Sequence, residues 1–236
     1  MLIPMNILES GIERVAANDG NYYSLYGILI ERDKDDNRFA YAVASDGKCL
    51  VALRWRDDER VDFPELDGCS AVDQPDEPLR VIVGAEKWKT MANMPTKHHP
   101  IPLLSSIVLD ERQSQHGVIV VGAAVHQPGE SIIFTFDEIS AAFPDWRRVI
   151  DISEPEETNN IWVNPYHISV VAEIVANATA QPNIAIKTYG PSRPFVMAAD
   201  GGDASGIGVI MANENKTGSH HFLDDIQSIS RRSQAS

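Results

Sequence analysis

Only two cysteines, Cys49 and Cys69, occur in the 236 residues, and neither belongs to a Cys-x-x-Cys pair. A disulfide framework is excluded, and two reduced, unremarkable thiols are the expectation. Long apolar runs are missing as well. The longest uncharged apolar-rich stretches, such as Val118 to Val125, are far too short to cross a bilayer as a helix. The opening residues, Met1-Leu2-Ile3-Pro4-Met5-Asn6, lack the basic region and cleavage site of a signal peptide. A soluble, cytoplasmic protein is therefore expected. Positive charge is scarce: 20 Lys and Arg face 34 Asp and Glu, for a net charge of −14. Phosphate affinity comes from basic side chains that displace counterions. Any contact with DNA must then be local, or must enclose the duplex without gripping it.

Motifs of bond chemistry are also lacking. There is no Gly-x-x-x-x-Gly-Lys-Ser/Thr loop, no Gly-x-Gly-x-x-Gly turn and no Gly-x-Ser-x-Gly elbow. The Gly-rich run Asp200-Gly201-Gly202-Asp203-Ala204-Ser205-Gly206 lies between two predicted strands, so it reads as a hairpin connection, not a phosphate cradle. His98-His99 and His220-His221 are adjacent pairs that point apart on most backbones, without Cys or carboxylate spacing to support a metal. Asp35-Asp36 and Glu156-Glu157 fall in predicted turns or linkers and read as solvated charge. No catalytic residue, metal or cofactor is expected, and the chain is not read as an enzyme.

What the chain does have is a repeated order of elements within a 43% hydrophobic composition, ample for a sizeable core. In the first unit Ile7, Leu8, Gly11, Ile12, Val15 and Ala16 recur at helical spacing, and Asp19-Gly20 ends the pattern. Strands follow at Tyr26–Glu31, Phe39–Ser45 and Lys48–Trp55, the last two joined by Asp46-Gly47, read as a two-residue hairpin turn. The second unit has a strand at Leu79–Val83 and a helix at Ala85–Met94 stopped by Pro95. Strands then follow at Ser106–Asp110, Gly117–Ala124 and Ser131–Phe136. The third has a short strand at Ile161–Val163 and a helix at Pro165–Ala178 with an apolar stripe of Ile168, Val171, Ala172 and Val175. Its strands are at Asn183–Tyr189, Pro194–Ala199 and Gly206–Met211. Acidic, Pro-containing linkers run through Asp57–Pro78 and Asp151–Asn160. The end of the chain is polar and reads as a disordered tail.

Three segments carry a family resemblance. Tyr22-Tyr23-Ser24-Leu25-Tyr26-Gly27, followed by Ala44-Ser45-Asp46-Gly47-Lys48-Cys49-Leu50, resembles the opening of the middle domain of the bacterial DNA sliding clamp, the β subunit of DNA polymerase III. Phe143-Pro144-Asp145-Trp146-Arg147-Arg148-Val149 resembles the segment that leaves that domain, and is the most specific element. Val209-Ile210-Met211-Ala212 resembles a strand near the clamp's C-terminus. Order and spacing agree over residues 6–212. The departures are Lys48-Cys49 where the family has His-Arg, Ala212 where it has proline, and three units where it has six.

The resemblance implies an α+β DNA-clamp fold of three strand-helix-three-strand units. Residues 1–150 would match the middle domain, residues 151–215 the second half of the last domain, and residues 216–236 would be the tail. It implies a protein that enclosed duplex DNA with inward-facing helices and held replication or repair proteins through a short peptide. The matching pocket positions are Leu25, Ser45, Gly47, Lys48, Leu50, Pro144, Val149, Val209 and Met211. Lys87, Lys89 and Lys97 are the candidates to face DNA, with weak, non-specific affinity. Because the third unit lacks a fourth to pack against, a homo-oligomer is expected, a dimer first and a tetrameric ring by extension. The rival expectation is a non-encircling module that binds or competes for clamp-binding partners.

Overall fold

The computed structural model describes residues 2–17, 25–36, 38–56, 80–93, 105–109, 116–121, 132–137, 139–150, 161–190 and 193–212. Lys97, His98-His99, Cys69, Glu156-Glu157, His220-His221, both expected linkers and the expected tail lie outside these residues. Among them, no helix is long and apolar enough to cross a membrane.

The first unit comprises β1 (Leu2–Ile3), α1 (Met5–Leu8), a 3-10 turn at Ile12–Val15, and strands β2 (Gly27–Arg32), β3 (Phe39–Ser45) and β4 (Cys49–Arg56). The second comprises β5 (Arg80–Gly84), α2 (Ala85–Ala92), β6 (Ser105–Leu109), β7 (His116–Val121) and β8 (Ile132–Asp137). The short helix α3 (Arg147–Ile150) follows, then the third unit: α4 (Pro165–Thr179), β9 (Ala185–Thr188), β10 (Phe195–Asp200) and β11 (Ala204–Ile210).

Two antiparallel sheets result, one of order β1-β6-β7-β8 and one of order β5-β2-β3-β4-β11-β10-β9. The leading strands of the first two units trade places. β1 pairs with β6, with Leu2 opposite Ser106, and β5 pairs with β2, with Ile28 opposite Val83. This exchange explains a difference from expectation: residues 161–163 form no strand. A leading strand finds its ladder on the sister unit's sheet, and the third unit has no sister here. Ile161 and Val163 pack, half-buried, against the core instead. The expected first helix also differs. Gly11 takes a left-handed conformation (φ 85°) and splits it into α1 and the 3-10 turn. The apolar face survives the break, because Ile7, Leu8, Ile12, Val15 and Ala16 are all buried.

β4 pairs with β11, with Leu50 opposite Val209, so the first and third units share one seven-stranded sheet. Its two faces follow the period-two alternation of strands. On one face Ile28, Ile30, Ala42, Ala44, Val51, Leu53, Met197 and Ile210 form a core with residues of α1, α2 and α4. On the other, Leu29, Val43, Leu50, Ala52, Val196 and Val209 cluster with Phe143 and Trp146. β2 is covered on both faces, which is why it reads Gly-Ile-Leu-Ile without alternation.

α4 is capped by Asn164, whose Oδ1 accepts from the Tyr166 N–H at 3.0 Å, with Pro165 in the first turn. Ala180, left-handed at φ 53°, closes its C-terminal end. Val170, Val171, Ile174, Val175 and Ala178 are buried, while Ile168 and Ala172 are only half-buried. The helix lies close on β11 because Gly206 and Gly208 carry no side chain. A Cβ on Gly208 would collide with the Val171 side chain. Asn6 of α1 donates its side-chain N–H to the Ala178 carbonyl, and Arg14 pairs with Glu173 at 3.0 Å. The apolar stripe of the third unit is thus covered within the chain, by β11 and β10 of its own unit and by β4, α1 and the 3-10 turn of the first. It does not call for a second copy, and that ground for a dimer falls.

Candidate functional site

On the sheet face away from the helices, three segments far apart in sequence converge. The first is the β3–β4 connection, which the sequence suggests is a two-residue turn. The structure runs it through residues 46–48, and the Asp46 side chain organises it. Asp46 Oδ1 accepts from the backbone N–H of Lys48 at 2.8 Å and of Cys49 at 2.7 Å. Ser45 Oγ donates to the Cys49 carbonyl at 2.8 Å and accepts from the Gly47 N–H at 3.1 Å. Gly47 has φ 83°, so glycine is there for the backbone turn.

The second segment is residues 139–150. Ile139 donates its N–H to the Ile82 carbonyl at 3.0 Å, and Arg80 Nη2 donates to the Phe143 carbonyl at 3.2 Å. The decisive anchor is Glu31, on β2 and only 3% exposed. It accepts from Trp146 Nε1 at 2.9 Å, ion-pairs with Arg147, and lies 3.6 Å from Arg80 Nε. The Arg147 guanidinium sits 4.3 Å from the Trp146 ring centroid and 5.2 Å from that of Tyr41. Beside this cluster, burial and the Asp33 hydrogen bond push the Tyr41 hydroxyl up to about 12. The third segment is the end of β11, tied down where the Met211 N–H donates to the Lys48 carbonyl at 2.9 Å.

Together they enclose a cleft of about 540 Å³. All nine expected pocket positions line it: Leu25, Ser45, Gly47, Lys48, Leu50, Pro144, Val149, Val209 and Met211. Cys49, Phe143, Trp146, Arg148 and Pro194 line it as well and were not singled out. Phe143 and Trp146 belong to the same Phe-Pro-Asp-aromatic motif as Pro144, which was the signal for them. The floor is buried, with Leu25, Leu50, Val209 and Trp146 at 6% exposure or less. The rim is open at Val149 (37%) and Met211 (45%), and Lys48 and Arg148 stand exposed beside it.

The helix layer on the opposite side is mixed in charge. Lys87 and Lys89 are exposed on α2 beside Glu86, while Trp88 and Met91 turn inward. Lys97 lies outside the described residues. Glu9, Glu13 and Glu173 offset the basic groups, and Arg14 is already paired with Glu173. Arg54 and Arg56 are both exposed, and Arg54 Nε donates to Ser205 Oγ at 3.0 Å. Asp36 reads as solvated charge held by Arg38 at 2.7 Å, which lowers its carboxyl to about 2. Asp200-Gly201-Gly202-Asp203 is the β10–β11 hairpin connection, with Gly202 donating to Asp200 Oδ1 at 3.0 Å.

No protein-family model matches the chain, and no curated protein matches it by sequence. Solved structures do. The β subunit of DNA polymerase from Streptococcus pyogenes superposes with a TM-score of 0.61 at 14% identity, covering 91% of this chain and 66% of that one. A putative DNA polymerase III β subunit from Eubacterium rectale gives 0.62 at 10% identity, over 92% and 66%. The Helicobacter pylori β clamp bound to a DNA ligase peptide gives 0.55 at 12% identity, over 90% and 65%. At such identities the likeness is one of fold: the chain has the sliding-clamp fold and spans just under two thirds of these neighbours' length.

Proposed function

We propose that this chain is a clamp-like accessory protein of DNA replication or repair that tethers partner proteins by a short apolar peptide seated in the cleft. The observation that carries the reading is the convergence of nine positions from four distant segments, Leu25 among them, on one apolar cleft. The β clamp of Helicobacter pylori, of like fold, has been solved with a DNA ligase peptide bound. The physics is adequate. A Leu or Phe side chain buried in the cleft contributes about 1.5–3 kcal/mol. Two such anchors, less ordering costs, correspond to roughly micromolar affinity. Lys48 and Arg148 at the rim suit a peptide with flanking carboxylates. No catalytic step and no cofactor belong to this reading.

DNA would be met by the helix side, through Lys87 and Lys89 and by Lys97 beyond the described residues, weakly and without sequence preference. Enclosure of a duplex would require more than one copy, a dimer or a tetrameric ring. A second reading, the non-encircling module that binds or competes for clamp-binding partners, is favoured by the balanced charges of the helix layer. Mass by light scattering, with and without duplex DNA, separates the two. A larger assembly stabilised by DNA supports the ring, and a monomer indifferent to DNA supports the module. The cleft itself is tested by titrating a fluorescent peptide carrying Leu and Phe anchors: saturable binding supports the tether, and its absence refutes both readings.

A further inference from the structure

Cys49 fills a position where the resembling family has arginine, and its side chain has a specific neighbour. Cys49 Sγ lies 3.5 Å from His167 Nδ1 in the first turn of α4, 118 residues away in sequence. Asp46 completes the group, and donor atoms of all three residues fall within 4.8 Å of one another. We infer that Asp46, Cys49 and His167 form a binding site for one divalent ion of the zinc class.

The spacing fits the chemistry. Zinc binds thiolate sulfur at about 2.3 Å and imidazole nitrogen at about 2.0–2.1 Å, and a tetrahedral angle then separates the two donors by about 3.6 Å. The observed 3.5 Å is that separation. A soft sulfur, an imidazole and a carboxylate are the donor types this ion selects. Two of the donors are held in place already. The Asp46 carboxylate is held through Oδ1 by two backbone amides, which leaves Oδ2 to bind, and Cys49 sits at the start of β4, paired to β11 through Ile210. His167 is half-buried on a capped helix. Three protein donors leave a fourth position for water or for a group of a partner.

Because the thiolate is the ligand, the site is filled by exchange. The S–H bond breaks, the S–metal bond forms and the proton passes to solvent. A bound ion would clamp the β3–β4 connection to α4, joining the first and third units on the helix side of the sheet. The inference stands whether or not the cleft takes a peptide, because it rests on three other side chains.

The test uses the full chain, reduced and freed of metal with a chelator, titrated with Co²⁺ and then with Zn²⁺. One equivalent of Co²⁺ is expected to give a thiolate-to-cobalt charge-transfer absorption with tetrahedral ligand-field bands, displaced by Zn²⁺. Cys69→Ser should keep the absorption, and Cys49→Ser and His167→Ala should each remove it. Cys49 is buried, so its variant could disturb the fold. His167→Ala, at a half-exposed position, carries the test with an unchanged circular dichroism spectrum. Absence of Co²⁺ binding at one equivalent, binding without the sulfur band, or a band that survives His167→Ala or vanishes in Cys69→Ser would overturn the assignment.

Discussion

Trp146 Nε1 donates a hydrogen bond of 2.9 Å to Glu31 Oε1, fastening the segment that walls the cleft to the buried end of β2. The two residues are 115 apart in sequence, and Arg147 adds an ion pair to the same carboxylate. The consequences of breaking this cluster are asymmetric. Arg147→Met leaves a carboxylate that is 4% exposed with fewer partners, whereas Glu31→Gln leaves arginines that are 38% and 46% exposed and can turn to water. Losing one partner of a buried pair costs about 3–5 kcal/mol, so about 2–3 kcal/mol is expected for Arg147→Met, discounted for its solvation. Glu31→Gln, which still accepts from Trp146, should cost about 1 kcal/mol. Urea unfolding of the two variants checks the order. Equal costs, or the reverse, would show that the buried charge is not what the arginine stabilises.

The close seating of α4 on β11 makes Gly208 intolerant of any side chain. A Cβ there meets Val171, itself fully buried. Overpacking a filled core costs about 1–3 kcal/mol. Gly208→Ala should therefore lower the unfolding midpoint, and Val171→Ala added to it should recover part of the loss. A midpoint equal to wild type for Gly208→Ala would mean that the helix can lift away at no cost.

Alkaline titration of Tyr41 has a definite sign. Burial first, then the hydrogen bond to Asp33, raises its hydroxyl from 10.0 to about 12 in the folded protein. On the Asp33 side burial opposes ionisation, but the bonds from Tyr41 and from the Asp35 and Asp36 amides prevail and lower its pKa. Above pH 10 the unfolded chain releases the tyrosine proton while the fold retains it. The contribution is thus fully present below pH 10 and lost as the pH rises toward 12. Tyr41→Phe should flatten the fall in stability over that window, as read by thermal unfolding at a series of pH values. An unaltered pH profile would remove Tyr41 as the cause.

Much of this was legible in the sequence, and the misses have physical reasons. The cleft positions could be read because they belong to short contiguous motifs, such as Ser45 to Leu50 and Phe143 to Val149. Glu31 could not, since an acid ending a strand reads as solvent-facing and its partners lie over a hundred residues on. The exchange of β1 and β5 between sheets is invisible to local patterning, so Ile161–Val163 looked like a strand with nothing to say it lacked a ladder. The cover on α4 was missed for the same reason: pairing of β4 with β11 is a tertiary fact. What is left uncovered at the third unit is the edge strand β9, with Ile186 58% exposed.

For DNA, low affinity with a shallow salt dependence is expected, since few phosphates can be neutralised at once. Lys87→Glu with Lys89→Glu should weaken it further in a nitrocellulose filter assay at low salt. Tight, sequence-specific binding to short linear duplexes would contradict both the ring and the module.

The most direct test of the central claim is methyl NMR of the full chain during titration with a peptide bearing Leu and Phe anchors. Leu25, Leu50, Val209 and Met211 line the cleft, whereas Val171 and Ile174 lie in the core on the helix side of the sheet. The expected result is saturable shifts of the first group with the second unmoved. Met211→Asp, an exposed-rim change that leaves the floor intact, should weaken binding about tenfold or more, because the new carboxylate must lose water on contact with the ligand. Shifts confined to the helix side, or an affinity unchanged by Met211→Asp, would contradict the account.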